Sequence, residues 1–352
     1  MIRASSKKCM LLFLTVLVSL SFCTSTQAQG KPILSGKEML RPGNSDKPTE
    51  VSVAIWLVDI DSINSSNQNF VANVFLMLTW EDPRLAHNDN TYRNYGLNEI
   101  WNPRIQIANE IGIVRHTLPE IAEVEPDGTV TYIQRYVGPF SQPLKLKEFP
   151  FDSQTFQLQF VSTGNTPEEV EFVRYKEWID DGVSKAGGIS DNISLPDWTI
   201  KSFDTVSEPY VISPSVINAG YAFKFLAKRD VRHYLWKVIL PLMLIVMMSW
   251  SVFWIDPSNS ATQIAVAMTS MLTLIAYRFA IDTQVPKVPY MTRLDLFTVA
   301  GTVLVFLSLI QVIITSRLFQ TDKVDLSRKI DRASRLIFPL LFTIGLSFSL
   351  FG

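Results

Sequence analysis

The stretch SNSATQIAVAMTSMLTLIAYRFAID, Ser258 to Asp282, is apolar enough to cross a membrane, yet it carries small and hydroxyl-bearing residues in one row. Ala265, Thr269, Leu272, Ala276, Phe279 and Thr283 recur at alternating steps of four and three, the spacing of one face of an α-helix. Such a face either packs against another helix, as small-residue rows do in membranes, or lines something. The rest of the chain has to decide.

With 352 residues, 47% of them hydrophobic, and a mean hydropathy of +0.17, the chain is too apolar for an ordinary soluble protein and long enough for two domains. A net charge of −1 excludes an electrostatic nucleic-acid binder, which needs a basic surplus. The first residues predict a secretory signal over 1–28: Arg3, Lys7 and Lys8, then MLLFLTVLVSLSF, then STQA ending at Ala28. Both cysteines, Cys9 and Cys23, lie in that segment, so no disulfide, zinc–thiolate site or cysteine nucleophile is expected in the mature chain. Residues 29–49, with RPGNSDKP, predict a flexible lead-in.

Near residue 230 the chain changes character. Before it come strand-like runs: VSVAIWLVDI (51–60), FVANVFLMLTW (70–80), TYIQRYV (131–137), TFQLQFVST (155–163), DWTIKSFDTV (197–206) and YAFKFLAKR (221–229). Asp127-Gly128 predicts a hairpin turn. Short strands at this spacing predict a β-sandwich over 50–230. The remainder, 231–352, holds four apolar segments at about 235–255, 261–282, 294–316 and 335–351. Trp236, Trp250 and Trp254 sit near the ends of the first, where indoles favour the interface. A cleaved signal puts the sandwich outside, and four spans return the C-terminus there. The charge pattern agrees: Arg317, Lys323, Arg328, Lys329, Arg332 and Arg335 face three aspartates in the loop from Ser316 to Arg335, as in a cytoplasmic loop.

The second segment is the odd one, with a polar row and an internal arginine. Its row ends in polar groups at each mouth, Ser260 and Gln263 inside, Asp282 and Thr283 outside. Leu272 lies midway, where copies arranged about an axis would form an apolar constriction able to shut by dewetting. Arg278 stands four residues before Asp282, a spacing that predicts an ion pair.

Several motifs then carry a resemblance: WNP at 101–103, DPRL at 82–85, FPFDSQTF at 149–156, VPKVPY at 285–290 and ASRLIFP at 333–339. Together they resemble the pentameric ligand-gated ion channels, the Cys-loop receptor superfamily, in its prokaryotic branch. The resemblance implies an extracellular immunoglobulin-like β-sandwich, a four-helix transmembrane domain and a homopentamer in a bacterial inner membrane. The second helix then lines the pore, with membrane lipids around and inorganic ions passing through. It also implies that Asp152 and Arg229 meet at the domain junction, with Pro286 in the rigid link that transmits strain to the pore.

This chain departs from the family where it lacks the paired cysteines of animal receptors. Gln68 and Leu274 stand where acid-gated members carry a glutamate and a histidine, which puts proton gating in doubt. For a small extracellular ligand the candidates are Arg135, Tyr175 and Tyr210. Arg135 matches a basic position near the subunit interface and either holds a carboxylate or forms a structural ion pair. Selectivity divides the same way. Asp282 and Asp256 favour cations if both face the axis. The length from Trp254 to Ala265 resembles anion-selective members, but Gln263 replaces their arginine.

Two other classes compete with a channel. His87, His116 and His233 are scattered without metal-ligand spacing, so an enzyme is not expected, nor a cofactor or metal. A non-conducting receptor would need a docking region that the short cytoplasmic loops do not supply.

Overall fold

Side chains of β2 (Asn69–Glu81) alternate without a break. Phe70, Ala72, Val74, Leu76, Leu78 and Trp80 are buried, and the residues between them are half-exposed. A strand with one face in a core must read this way, because successive side chains point to opposite faces. In the computed structural model, which describes residues 36–43, 47–175, 179–180, 183–184, 187–282 and 287–351, β2 lies between β1 (Thr49–Asn64) and β7 (Thr129–Ser141), antiparallel to both. Beyond β7 come β6 (Ile121–Val124) and β3 (Arg93–Gly96), with β5 (Arg115–His116) also on β7. On the other side β1 pairs in parallel with β9 (Val170–Arg174) and β12 (Gly187–Ile189).

A second sheet runs β13 (Trp198–Ser207), β16 (Gly220–Arg229), β8 (Ser153–Ser162) and β4 (Ile105–Ile107). Two ribbons stand apart, β14 (Tyr210–Ser213) with β15 (Val216–Asn218), and β10 (Ile179–Asp180) with β11 (Val183–Ser184). All six runs expected from the sequence fall in strands of the two sheets.

Phenylalanines close the sheets on each other. Phe70 of the first meets Phe156 of the second edge-on at 5.3 Å, and Phe225 stacks on Phe156 at 5.1 Å. Each such ring, fully buried, contributes about 1.5–3 kcal/mol. The Asp127-Gly128 turn joins β6 to β7 as expected. Gly128 has φ +93°, and a Cβ there would lie 2.6 Å from the Asp82 carbonyl oxygen, so only glycine fits.

The lead-in differs from expectation over 36–43, which is pinned rather than flexible. Arg84 donates to the Lys37 and Leu40 carbonyls at 2.7 and 2.8 Å, and the Trp101 amide donates to Glu38. The anchors are remote in sequence, so composition alone does not reveal them.

Among the described residues four long helices follow: α1 (Arg232–Trp254), α2 (Ser260–Ile281), α3 (Arg293–Gln320) and α4 (Val324–Phe351). Thr292 and Asp295 form a reciprocal capping box that starts α3. Among the described residues α1, α2 and α3 are long and apolar enough to cross a membrane. The fourth helix begins earlier than the apolar run at 335–351. Its first turns carry Arg328, Lys329 and Arg332, and only its second half is free of charged residues.

Candidate functional site

The small-residue row of α2 is bare. Ala265, Thr269, Leu272, Ala276 and Phe279 are exposed, Leu272 at 68% and Phe279 at 77%, while Ala267, Ser270, Leu274 and Ile281 face the other helices and are buried. The Thr269 and Thr273 hydroxyls donate to the Ala265 and Thr269 carbonyls one turn back, both at 2.8 Å. The row is therefore polar without needing a partner for its donors. Exposure spreads over Met268, Thr273 and Ile275 as well, wider than one row requires. Only 22% of the apolar stretch of α2 is buried, against 44% for α1 and for α3. Thr283 lies outside the described residues.

Two expected mouth residues are elsewhere. Gln263 is fully buried, off the exposed row, because its Nε2 donates to the Val252 and Ile255 carbonyls and braces the α1–α2 turn. Asp256 is exposed but turned toward α4: it caps the turn by accepting from the Ser258 amide at 2.9 Å and meets Arg328 at 3.4 Å. Asp282 is exposed at the outer end, and its ion partner is Lys287 at 3.7 Å rather than Arg278. Arg278 is itself exposed, but its place in the helical period is off the row, nearer the side of Leu274 and Ile281. Leu274 is on the buried face.

Where the sandwich meets the helices, a charged pair is sealed in. Arg229 at the end of β16 binds Asp152 with two hydrogen bonds, Nε to Oδ1 at 2.7 Å and a terminal guanidinium nitrogen to Oδ2 at 3.1 Å. Their side chains are 3% and 1% exposed. The guanidinium also donates to Ser65 Oγ at 3.0 Å and lies over the rings of Trp198 at 4.1 Å and Phe149 at 4.8 Å. Gln154 Nε2 donates to Asp152 Oδ2 at 2.6 Å. A fork-shaped, weakly hydrated cation suits this place better than lysine would, since it stacks and bonds bidentately at once. The β1–β2 loop, the FPFD loop and the last strand are thus tied to one guanidinium.

The same loop grips the helices directly. The Leu294 amide donates to the Phe149 carbonyl at 3.2 Å, the Leu146 amide to the Tyr290 hydroxyl at 3.1 Å, and Arg293 pairs with Glu148. Phe149 packs edge-on against Tyr234 of α1 at 4.9 Å. Close by, hydrogen bonds from Arg232 hold the Asp230 carboxyl down to about 2, so it stays charged at any ordinary pH. Pro286 lies outside the described residues. Sequence reasoning missed Tyr290, Arg293 and Trp198; VPKVPY contained Tyr290, but nothing in its spacing marked the ring as the contact.

The three ligand candidates lie apart within one chain. Arg135 on β7 is half-buried, its Nε donating to Asn73 Oδ1 at 2.9 Å and its guanidinium 5.4 Å from the Phe75 ring centre. No carboxylate pairs with it among the described residues. Tyr210 opens the β14–β15 hairpin, and Tyr175 follows β9 with its amide bonded to the Val53 carbonyl. A cleft of about 350 Å³ runs between the hairpin base at Pro209 and Gly220 and the segment holding Pro167 and Phe172. Among the described residues no hydrogen bond or ring contact joins Arg135 to either tyrosine.

Comparison with known proteins bears on both halves. Residues 32–223 match the neurotransmitter-gated ion-channel ligand binding domain, and residues 238–325 match the neurotransmitter-gated ion-channel transmembrane region. Over 331 residues the chain is 27% identical to a proton-gated ion channel of Gloeobacter violaceus, covering 91% of this chain and 89% of that one. It is 30% identical over 288 residues to the mouse gamma-aminobutyric acid receptor subunit theta, and 27% over 296 residues to the chicken subunit beta-4. These matches cover 80% and 82% of this chain but only 44% and 59% of the two receptor subunits.

Proposed function

The chain belongs to the neurotransmitter-gated ion-channel family, an extracellular β-sandwich joined to a transmembrane helical region and not an enzyme, and from that premise we propose a homopentameric channel opened by a small extracellular ligand. The observation that carries the reading is the bare row on α2, Ala265, Thr269, Leu272, Ala276 and Phe279. Hydrocarbon gives no reward for threonine hydroxyls, whereas a shared aqueous axis does, and the apolar side chain at mid-row then forms the gate. Neighbouring copies would cover the wider exposed flanks of α2. Residues 50–230 form the ligand-binding domain and 231–352 the pore domain, with 335–351 as a fourth span and the C-terminus outside. Residues 1–28 act as the signal that sends the chain to the bacterial inner membrane, where lipids surround it.

The ligand site would form between copies. Arg135 and Phe75 supply one wall, and the β14–β15 hairpin with Tyr210, Tyr175 and the cleft beside Phe172 supplies the other. A guanidinium that no described carboxylate of its own chain neutralises favours a small carboxylate ligand. Proton gating is not carried over from the bacterial relative: neither Gln68 nor Leu274 titrates.

Opening would pass through Asp152 and Arg229 to the link at 283–294, which includes Pro286 and Thr283. Cations are favoured by Asp282 at the outer mouth, the acid left exposed there once Gln263 and Asp256 are set aside. An anion-selective pore is the second reading, supported by the length of the stretch from Trp254 to Ala265. Flux and reversal potentials of the full chain in liposomes under asymmetric salt test this. Leu272→Ala should leak cations without ligand. A sealed Leu272→Ala, or a reversal potential set by anions, would reject the gate or the selectivity in turn.

A further inference from the structure

The inner end of the helical region holds a side-chain knot that neither the gate nor the domain junction uses. Asp331 of α4 is 2% exposed, Gln311 of α3 8% and Gln263 of α2 0%. Gln311 Nε2 donates to Asp331 Oδ1 at 2.6 Å, and the Gln263 carboxamide lies within hydrogen-bonding range of the same carboxyl. Since Gln263 also donates to the two carbonyls at the end of α1, one knot joins all four helices.

Its hydrogen bonds do not close if Asp331 is ionised. Gln263 Oε1, Gln311 Oε1 and Asp331 Oδ2 are all buried without a partner. A carboxylate adds acceptors only, whereas a carboxylic acid supplies one O–H. A buried charge without a counter-ion loses its proton reluctantly. The charged groups around it are engaged elsewhere. On α4, Arg335 gives its Nε to the Phe253 carbonyl at 2.9 Å, and Arg328 reaches Asp256 of the α1–α2 turn. The neighbours from α2 and α3 are uncharged: Gln263, Gln311 and Thr315, whose hydroxyl donates within its own helix. Ser327 of α4 donates to the Thr315 carbonyl at 2.9 Å. Asp331 lies before the uncharged half of α4, and burial, with Asp256 nearby, pushes its carboxyl above the usual carboxylate range, opposed in part by the Gln311 bond, by Arg335 and by Gln263.

We propose that Asp331 is a proton-binding site: in this arrangement Oδ2 carries a proton and donates it to Gln263 Oε1, latching α4 to the root of the pore helix. The O–H bond breaks on deprotonation, the proton leaves to the aqueous phase at the inner face, and the carboxylate left behind parts α4 from the turn. Because the folded-state value is the raised one, the stabilisation is full below the unfolded carboxyl value and is lost as pH climbs through the folded one. The site is distinct from any ligand at the sandwich and senses the opposite side of the membrane.

Infrared spectroscopy of the full-length protein tests it directly. At about pH 6, where ordinary carboxyls are ionised, the wild type should show a protonated-carboxyl carbonyl band that Asp331→Asn lacks. The melting temperature of the wild type should fall as pH rises. That fall should be lost in Asp331→Asn, whose amide mimics the neutral acid. A band of equal size in both proteins, or equal pH slopes, would overturn the proposal. If the variant fails to assemble, the wild type still decides: no protonated-carboxyl band at about pH 6 would refute the site.

Discussion

Arg229 and Leu272 invert the usual rule that charges lie outside and leucines inside. Arg229 is 5% exposed and surrounded by a carboxylate, a hydroxyl and two aromatic rings; Leu272 is 68% exposed and touches nothing that covers it. The difference shows which parts of the molecule one chain can finish. The domain junction is complete within one chain: Nε and one terminal nitrogen of the guanidinium are hydrogen-bonded, its face lies over two rings, and its partner carboxylate is held from two sides. The face of α2 is incomplete within one chain, and in the proposed pore water and further copies would complete it.

Substitutions should separate the two regions by what they disturb. The largest effect is expected at the junction. Asp152→Ala leaves a buried guanidinium without its counter-ion, a change that costs about 3–5 kcal/mol when the pair is well desolvated. Calorimetry of the purified assembly should show a large fall in melting temperature, and ligand-evoked flux should vanish. A variant that melts and opens like the wild type would remove the pair from both roles.

A smaller effect is expected where the FPFD loop meets the link. Tyr290→Phe removes the hydroxyl that accepts from the Leu146 amide, worth about 0.5–1.5 kcal/mol. The dose–response curve should shift to higher ligand concentration with little change in subunit assembly. An unshifted curve would confine the coupling to Phe149, Arg293 and Leu294.

Smallest in stability is Asp282→Asn. Its pair with Lys287 is solvent-exposed on both sides, so the change should lie within about 0.5 kcal/mol. Single-channel cation conductance should nonetheless drop, since the charge sits at the mouth rather than in a contact. Unchanged conductance would shift attention to anions.

Legibility in the sequence divides along the same line. Strands with strict alternation, such as Phe70 to Trp80, announce their buried face because period two admits one reading. The exposed row of α2 is legible for the same reason, with the helical period in place of two. Gln263 is misread because a polar side chain near a helix start looks like a mouth residue until the carbonyls it braces are in view, eight and eleven residues back. Asp256 is turned aside by a contact from α4, seventy-two residues away. The aromatic walls around Arg229 share that cause: Trp198 stands opposite it on the paired strand and Phe149 in the loop before β8, partners that only the pairing of distant strands brings to it. Periodicity reveals faces, but not which distant partner satisfies a single polar group.

The central claim is that the exposed side of α2 meets water and the opposite side does not. Cysteine substitution along the helix tests it most directly, since the chain's two cysteines lie at positions 9 and 23. In assembled, membrane-embedded protein, Ala265→Cys, Thr269→Cys and Ala276→Cys should react with a small charged thiol reagent when the channel is activated, while Ala267→Cys and Ser270→Cys should stay protected. Protection of all five positions in every condition, or equal labelling of both faces, would contradict the account.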